Sequence, residues 1–321
     1  MLYLALSVVI LMVFLRLIWP RFEGSECLYK SFNSGLLPDD INQYFTTQEA
    51  RFSDIKPGVE KRVVWAGEAG QKTDLAIVYI HGFMASSEET RPLPDQIAAH
   101  YGANLVFTRL AGHGRTGAAL AEACESDWMR DTQEALAVAH RIGREVVVIG
   151  SSTGATLVAA HAHRPEWMAQ VKGLVLMAPN FGFKHYAARL LTWPWVRWWG
   201  PPLLGPRRVS VPYSASHGHY WTLDYPSVAA LPMAELVKRT VGLAFGQVTV
   251  PALFYLSDHD RVVHVEKITD IAHSWGGPTT LIRVLLSARD DPLSHVLAGD
   301  IRSPAQTEHA VQRIISWIDR L

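Results

Sequence analysis

The chain has 321 residues, 49% of them hydrophobic, enough to bury a core of ordinary size. Thirty basic residues balance thirty acidic ones. The basic footprint that nucleic-acid binding needs is therefore missing, and that class of partner is excluded. Two cysteines, Cys27 and Cys124, allow one disulfide but form neither a metal pattern nor a redox pair.

The first segment departs from an otherwise globular pattern. Leu2 to Trp19 is eighteen residues with one charge, Arg16, which lies near one end and can snorkel toward headgroups. It lacks the basic start and small-residue cleavage site of a signal peptide. Residues 1–20 thus predict a hydrophobic anchor helix that crosses a membrane once. Arg16, Arg21 and Lys30 follow it, which favours a cytoplasmic location for the rest of the chain. Residues 21–59 are mixed and polar and read as a lead-in.

From residue 60 to 321, apolar runs alternate with helical patterns. That alternation predicts an α/β fold, a mostly parallel sheet with helices on both faces. Strands are expected at Arg62–Trp65, Leu75–Ile80, Asn104–Thr108, Val146–Ile149, Gly173–Met177, Ala252–Leu256 and Thr280–Leu286. A helix over Asp127–Ile142 takes Ser126 as its N-cap. Near the C-terminus, Ser303-Pro304-Ala305-Gln306 combines capping-box spacing with Pro at the first helical position. Val311, Ile314, Ile315 and Ile318 then share one helical face.

Between Asn180 and Ala252 lies an insertion, about 181–250, too long for a simple connection. It holds Trp193, Trp195, Trp198, Trp199 and Trp221 with Phe181, Phe183, Tyr186, Tyr213, Tyr220 and Tyr225, and Pro194, Pro201, Pro202 and Pro206 interrupt it. It reads as a cap, with some tryptophans forming its own core and others lining an acyl pocket or resting at a lipid interface. Lys184, Arg189, Arg197, Arg207 and Arg208 in the same stretch suit anionic headgroups.

The stretch that carries chemistry is Val146-Val147-Val148-Ile149-Gly150-Ser151-Ser152-Thr153-Gly154-Ala155. A β-branched run enters Gly-x-Ser-x-Gly and leaves into a helix-compatible segment, the strand–turn–helix context of a nucleophile elbow. Gly150 and Gly154 leave room where strand and helix crowd together, and Ser152 is held in strained backbone at the positive end of the helix. Such a serine needs a base, an acid to orient it, and two donors for the oxyanion.

Taken together, His81-Gly82-Phe83, the elbow, Ser257-Asp258-His259-Asp260-Arg261-Val262-Val263 and Ser294-His295-Val296-Leu297 resemble the α/β-hydrolase superfamily over about residues 60 to 321. The chain is similar to the branch holding monoacylglycerol lipases, lysophospholipases and bacterial carboxylesterases. The resemblance implies a Ser-Asp-His order. Its Gly-x-x-Asp-x-Val-Val pattern points to Asp260, although Ser257 replaces the usual Gly and Asp258 is a rival. The alternative acid position after the earlier strand holds Asn180, whose neutral amide cannot stabilise an imidazolium. His295, in the loop after the last strand, stands where the base is expected, whereas His273 and His309 read as surface or structural residues. The oxyanion donors implied are the amides of Phe83 and Thr153, with Met84 as an alternative to Phe83. His81, Gly82, Gly150 and Gly154 are expected to shape the site. The pair Asp290-Asp291 reads as a solvated turn.

Gly112-His113-Gly114-Arg115-Thr116-Gly117 satisfies a dinucleotide-binding spacing. The acid such a site requires is missing, because Asp131 falls within a predicted helix. No cofactor and no metal are expected. The expected function is hydrolysis of a carboxylic ester, lipid-like or with a medium to long acyl chain, through an acyl-enzyme. Thioester, amide or C–C hydrolysis on the same triad is the alternative, as is a hydrolase-fold protein that only binds.

Overall fold

A computed structural model describes residues 31–321, together with Ser7, Leu11 and Phe14. Seven strands form the main sheet in the order β1-β3-β2-β4-β5-β8-β9. These are β1 (Arg62–Val64), β2 (Thr73–Ile80), β3 (Asn104–Phe107), β4 (Gly143–Ser151), β5 (Val171–Met177), β8 (Ala252–Leu256) and β9 (Thr279–Arg283). Only β1 runs antiparallel, on β3. A separate antiparallel pair, β6 (Arg207–Val209) with β7 (Asp224–Pro226), lies in the insertion.

Alternation along the strands sorts the core into two layers. Ala76, Val78, Ile80, Val146 and Val148 face one side, and Leu75, Ile77, Tyr79, Val147 and Ile149 the other. The first layer is covered by helices Glu125–Ile142 and Thr153–His161 and by helix Val265–Ser274. The second is covered by helices Leu93–Tyr101 and Thr307–Ile318. Because both faces of the central strands are buried, Leu75–Ile80, Val146–Ile149, Leu174–Met177 and Ala252–Leu256 are apolar, which explains why they read as continuous runs.

Three local expectations change. The long helix begins at Glu125, two residues earlier than expected, because the Asp127 carboxylate accepts the Cys124 N–H at 2.9 Å and displaces Ser126 as the cap. The terminal helix begins at Thr307, not Pro304. Ser303 instead donates its hydroxyl to the Val296 carbonyl and accepts the Asp291 N–H, so it holds a loop and caps nothing. From residue 31 onward the lead-in contributes to the core as well. Phe32, Leu37, Ile41 and Phe45 are buried in the first layer, and Glu49 forms a buried two-armed ion pair with Arg109 at 2.7 and 2.8 Å.

The single-pass membrane location is corrected. Among the described residues no helix is long and apolar enough to cross a membrane. A span needs about twenty consecutive apolar residues. The helix Glu125–Ile142 has 18 residues but carries Glu125, Asp127, Arg130, Asp131, Glu134 and Arg141. Apart from Ser7, Leu11 and Phe14, the stretch on which the anchor rested lies outside the described residues, as does Cys27.

Candidate active site

Strand β4 ends at Ser151, helix Thr153–His161 starts two residues later, and Ser152 joins them at φ 50°, ψ −114°. That conformation strains a residue with a Cβ, and the surroundings enforce it. The Ser152 N–H donates to the Met177 carbonyl of β5 at 2.8 Å. A Cβ on Gly154 would stand 2.1 Å from the Ile80 carbonyl, and one on Gly150 would stand 2.7 Å from Ala155 Cα. Neither position admits a side chain. Five non-glycine residues among those described have positive φ, and four of them (Met84, Ser152, Ala178, Ser294) lie on the loops around this serine.

His295 bridges the serine and an acid. Its Nε2 is 2.8 Å from Ser152 Oγ, and its Nδ1 is 2.7 Å from Asp260 Oδ2. The other Asp260 oxygen accepts the amides of Val262 at 2.7 Å and Val263 at 3.0 Å. Asp260 is 1% exposed, whereas Asp258 turns outward and pairs with Arg283 on the surface. Burial alone would lower the basicity of His295. The Asp260 charge and hydrogen bond, with Asp291 and Glu89 farther out, outweigh it and hold the imidazole above its ordinary value.

The loop that carries His295 is organised by Asp291, read above as a solvated turn. The structure corrects that expectation, since Asp290 and Asp291 are 5% and 2% exposed. Asp291 accepts the amides of Leu293 at 3.1 Å, His295 at 3.0 Å and Val296 at 2.9 Å, and pairs with buried Arg302. Burial opposes its charge, but those amides and the guanidinium win and keep its pKa low. Asp290 accepts from Ser287 and Ala305. The signal was present as Asp-x-x-x-His, a spacing that lets one short carboxylate cover the next amides.

On the opposite side, the loop after β2 carries Phe83. Buried His81 accepts the Leu110 N–H on Nε2 at 3.2 Å, so its Nδ1 is the donor to the Gly82 carbonyl at 2.9 Å. Burial pushes its pKa down to about 4, which keeps the ring neutral. Among the described residues the Phe83 and Thr153 amides have no hydrogen-bond acceptor. For Thr153 this follows from its place in the first turn of its helix, where N–H groups have no intrahelical partner. The Gly112-His113-Gly114 turn is packed shut by protein. A Cβ on Gly112 would meet the Ala119 carbonyl at 2.6 Å and one on Gly114 would meet Val59 at 2.7 Å. Asp131 accepts the Ala111 N–H and pairs with Lys61.

The insertion touches each of these loops. Thr222 N–H donates to the Met84 carbonyl at 2.7 Å, Lys184 Nζ to the Asp260 carbonyl at 2.5 Å, and Tyr213 stacks on Arg302 at 3.9 Å. Its aromatic residues divide. Phe181 and Trp221 are buried, while Tyr186, Trp193, Trp198 and Tyr213 are exposed. Arg302 and Glu89 are polar residues beside this site that sequence reasoning missed; each is bonded to near neighbours in the chain and also packs on a distant segment, Tyr213 for Arg302 and Gly299 for Glu89.

The sequence pattern of the serine aminopeptidase S33 family matches residues 71–289, more than half of the chain. The chain belongs to that family. Solved structures share its α/β-hydrolase fold. One of the two metagenome-derived lipolytic enzymes LipS and LipT is 20% identical over 83% of this chain and 100% of its own, with a TM-score of 0.67. A soluble variant of Saccharomyces cerevisiae monoglyceride lipase, bound to a substrate analogue, is 11% identical over 81% and 91%, at 0.60. Paleococcus ferrophilus monoacylglycerol lipase is 13% identical over 80% and 97%, at 0.57. No curated protein sequence matches. The family member described here is therefore a hydrolase whose structural neighbours include lipases.

Proposed function

We propose that the protein is a serine hydrolase of carboxylic esters that works through an acyl-enzyme. The observation that carries this reading is His295 spanning Ser152 Oγ and Asp260 Oδ2 at 2.8 and 2.7 Å. Ser152 Oγ attacks the ester carbonyl carbon while its proton passes to His295 Nε2. The carbonyl oxygen becomes an anion facing the amides of Phe83 and Thr153. Collapse breaks the bond to the alcohol, which leaves with the proton from Nε2. Water then attacks the acyl-enzyme with His295 again as base, releasing the acid and restoring Ser152. Asp260 fixes the tautomer and stabilises the imidazolium without taking the proton.

Residues 181–250 act in this reading as a cap whose aromatic side chains accept a medium or long acyl chain. Their contacts with the Met84, Asp260 and Arg302 loops support it. The family's peptidase description favours amide cleavage as a second reading. Purified protein should label with a fluorophosphonate probe and hydrolyse p-nitrophenyl octanoate faster than acetate. Labelling and activity that survive in Ser152→Ala would refute the serine mechanism. Amino-acyl p-nitroanilides turned over faster than the esters would select the amide reading.

A further inference from the structure

Glu89 lies among the parts of this site, and the mechanism above makes no use of it. It is 3% exposed, and its Oε2 accepts the Gly82 N–H at 2.8 Å and the Tyr79 O–H at 3.0 Å. A Cβ on Gly82 would stand 2.8 Å from Glu89 Oε1 and 3.2 Å from Ser152 Cβ, so carboxylate and nucleophile flank the same peptide. On its other side, a Cβ on Gly299 would stand 2.6 Å from the Glu89 carbonyl, and the Asp300 N–H donates to the Arg91 carbonyl at 2.9 Å. The loop that carries His295 therefore rests on the turn that carries Glu89.

This carboxylate has no cation within ion-pair distance among the described residues. Arg62 and Arg91 turn instead to Glu88 and Asp95. The groups facing it are Tyr79 from β2, Ser151 from β4, the Gly82 amide and His295. Those facing His295 are Asp260, Asp291 and Glu89 itself. Burial raises the pKa of Glu89 above the usual carboxylate value, and the donors around it act in the opposite direction without cancelling it.

We propose that Glu89 is a positioning residue for the hydrolytic reaction, holding the Gly82 peptide so that the Phe83 amide meets the oxyanion and adding a buried negative charge that faces the imidazolium of His295. The inference rests on the serine-hydrolase reading. Its two halves separate by experiment, because a residue that merely fills space does not move the titration of the base.

The test is the pH profile of kcat/KM on p-nitrophenyl octanoate, whose acid limb reports the base of the free enzyme. Glu89→Gln removes the charge, so the acid-limb midpoint should fall by about one pH unit. Glu89→Asp keeps the charge but draws it back from Gly82. It should leave the midpoint in place and lower the plateau rate by about tenfold, a fraction of what losing an oxyanion donor costs. An unmoved acid limb in Glu89→Gln overturns the electrostatic half. An unchanged plateau in Glu89→Asp overturns the positional half, and that variant decides the matter if the glutamine form does not fold. Should Ser152→Ala still turn over the ester, the parent reading fails instead, whatever Glu89 does.

Discussion

Two aspartates two positions apart receive opposite environments, and that contrast is the sharpest statement at the level of single residues. Asp260 is sealed against His295 and two amides, while Asp258 shares solvent with Arg283. Asp260→Asn should lower kcat by about four orders of magnitude with folding intact, because the imidazole loses its tautomer and its counter-charge. Asp258→Asn breaks only a surface pair worth about 1 kcal/mol or less, so its kinetics should match the unchanged protein. The sign of the pH dependence follows from His295. As the proposed base it must be neutral to accept a proton, and its pKa lies above the ordinary value. Activity should therefore fall on the acid side with a midpoint above about 6.5 in kcat/KM. An acid limb well below that would mean the imidazole does not face these charges. The elbow was legible in the sequence because its geometry is local: glycines two residues either side of a serine answer to the strand and helix beside them. Glu89 was not, since its meaning comes from Tyr79, Gly82 and a loop more than two hundred residues away.

The loop between β9 and helix Thr307–Ile318 shows how one charge can shape an element. Asp291 gathers the amides of Leu293, His295 and Val296 around its carboxylate and is balanced by Arg302. Asp291→Ala leaves a buried guanidinium without its partner, and breaking such a pair typically costs about 3–5 kcal/mol. Urea unfolding should show a loss of that size, and the surviving folded fraction should turn over more slowly because His295 loses its backbone restraint. A loss near zero would mean Arg302 finds another acceptor. The pKa of Asp291 is depressed in the folded state, so its contribution is present above the unfolded carboxylate value of about 3.9 and is lost as pH falls through the folded value. The central strands were readable as elements because β2, β5 and β8 and the second half of β4 are buried on both faces and mostly apolar. Helix starts were less so. Ser303 and Ser126 carried good capping chemistry, but Ser303 was claimed by Val296 and Asp291, and Ser126 was displaced by the reach of Asp127 to Cys124.

At the scale of the molecule, residues 31–61, directly ahead of β1, behave as part of the fold. Their polar composition concealed this, because the binding groups are a few buried apolar residues and one carboxylate. Glu49→Ala should cost about 3–5 kcal/mol by stranding Arg109, measurable as a lower unfolding midpoint, whereas a mere lead-in would tolerate it. The insertion leaves the sheet after β5 and returns at β8, and these two strands are hydrogen-bonded neighbours from Leu174↔Ala252 to Met177↔Tyr255. Ser152 thus sits on one side of the insertion in sequence, and Asp260 and His295 on the other, with every residue from 206 to 216 exposed between them. A protease that cuts there should divide the polypeptide into two pieces, neither of which holds the proposed nucleophile and its proposed base together. Paired strands and two shared cores should keep the pieces joined, so nicked protein should run as two bands in denaturant and as one active species without it. Expressed separately, the two pieces would then form a split enzyme whose activity reports their reunion.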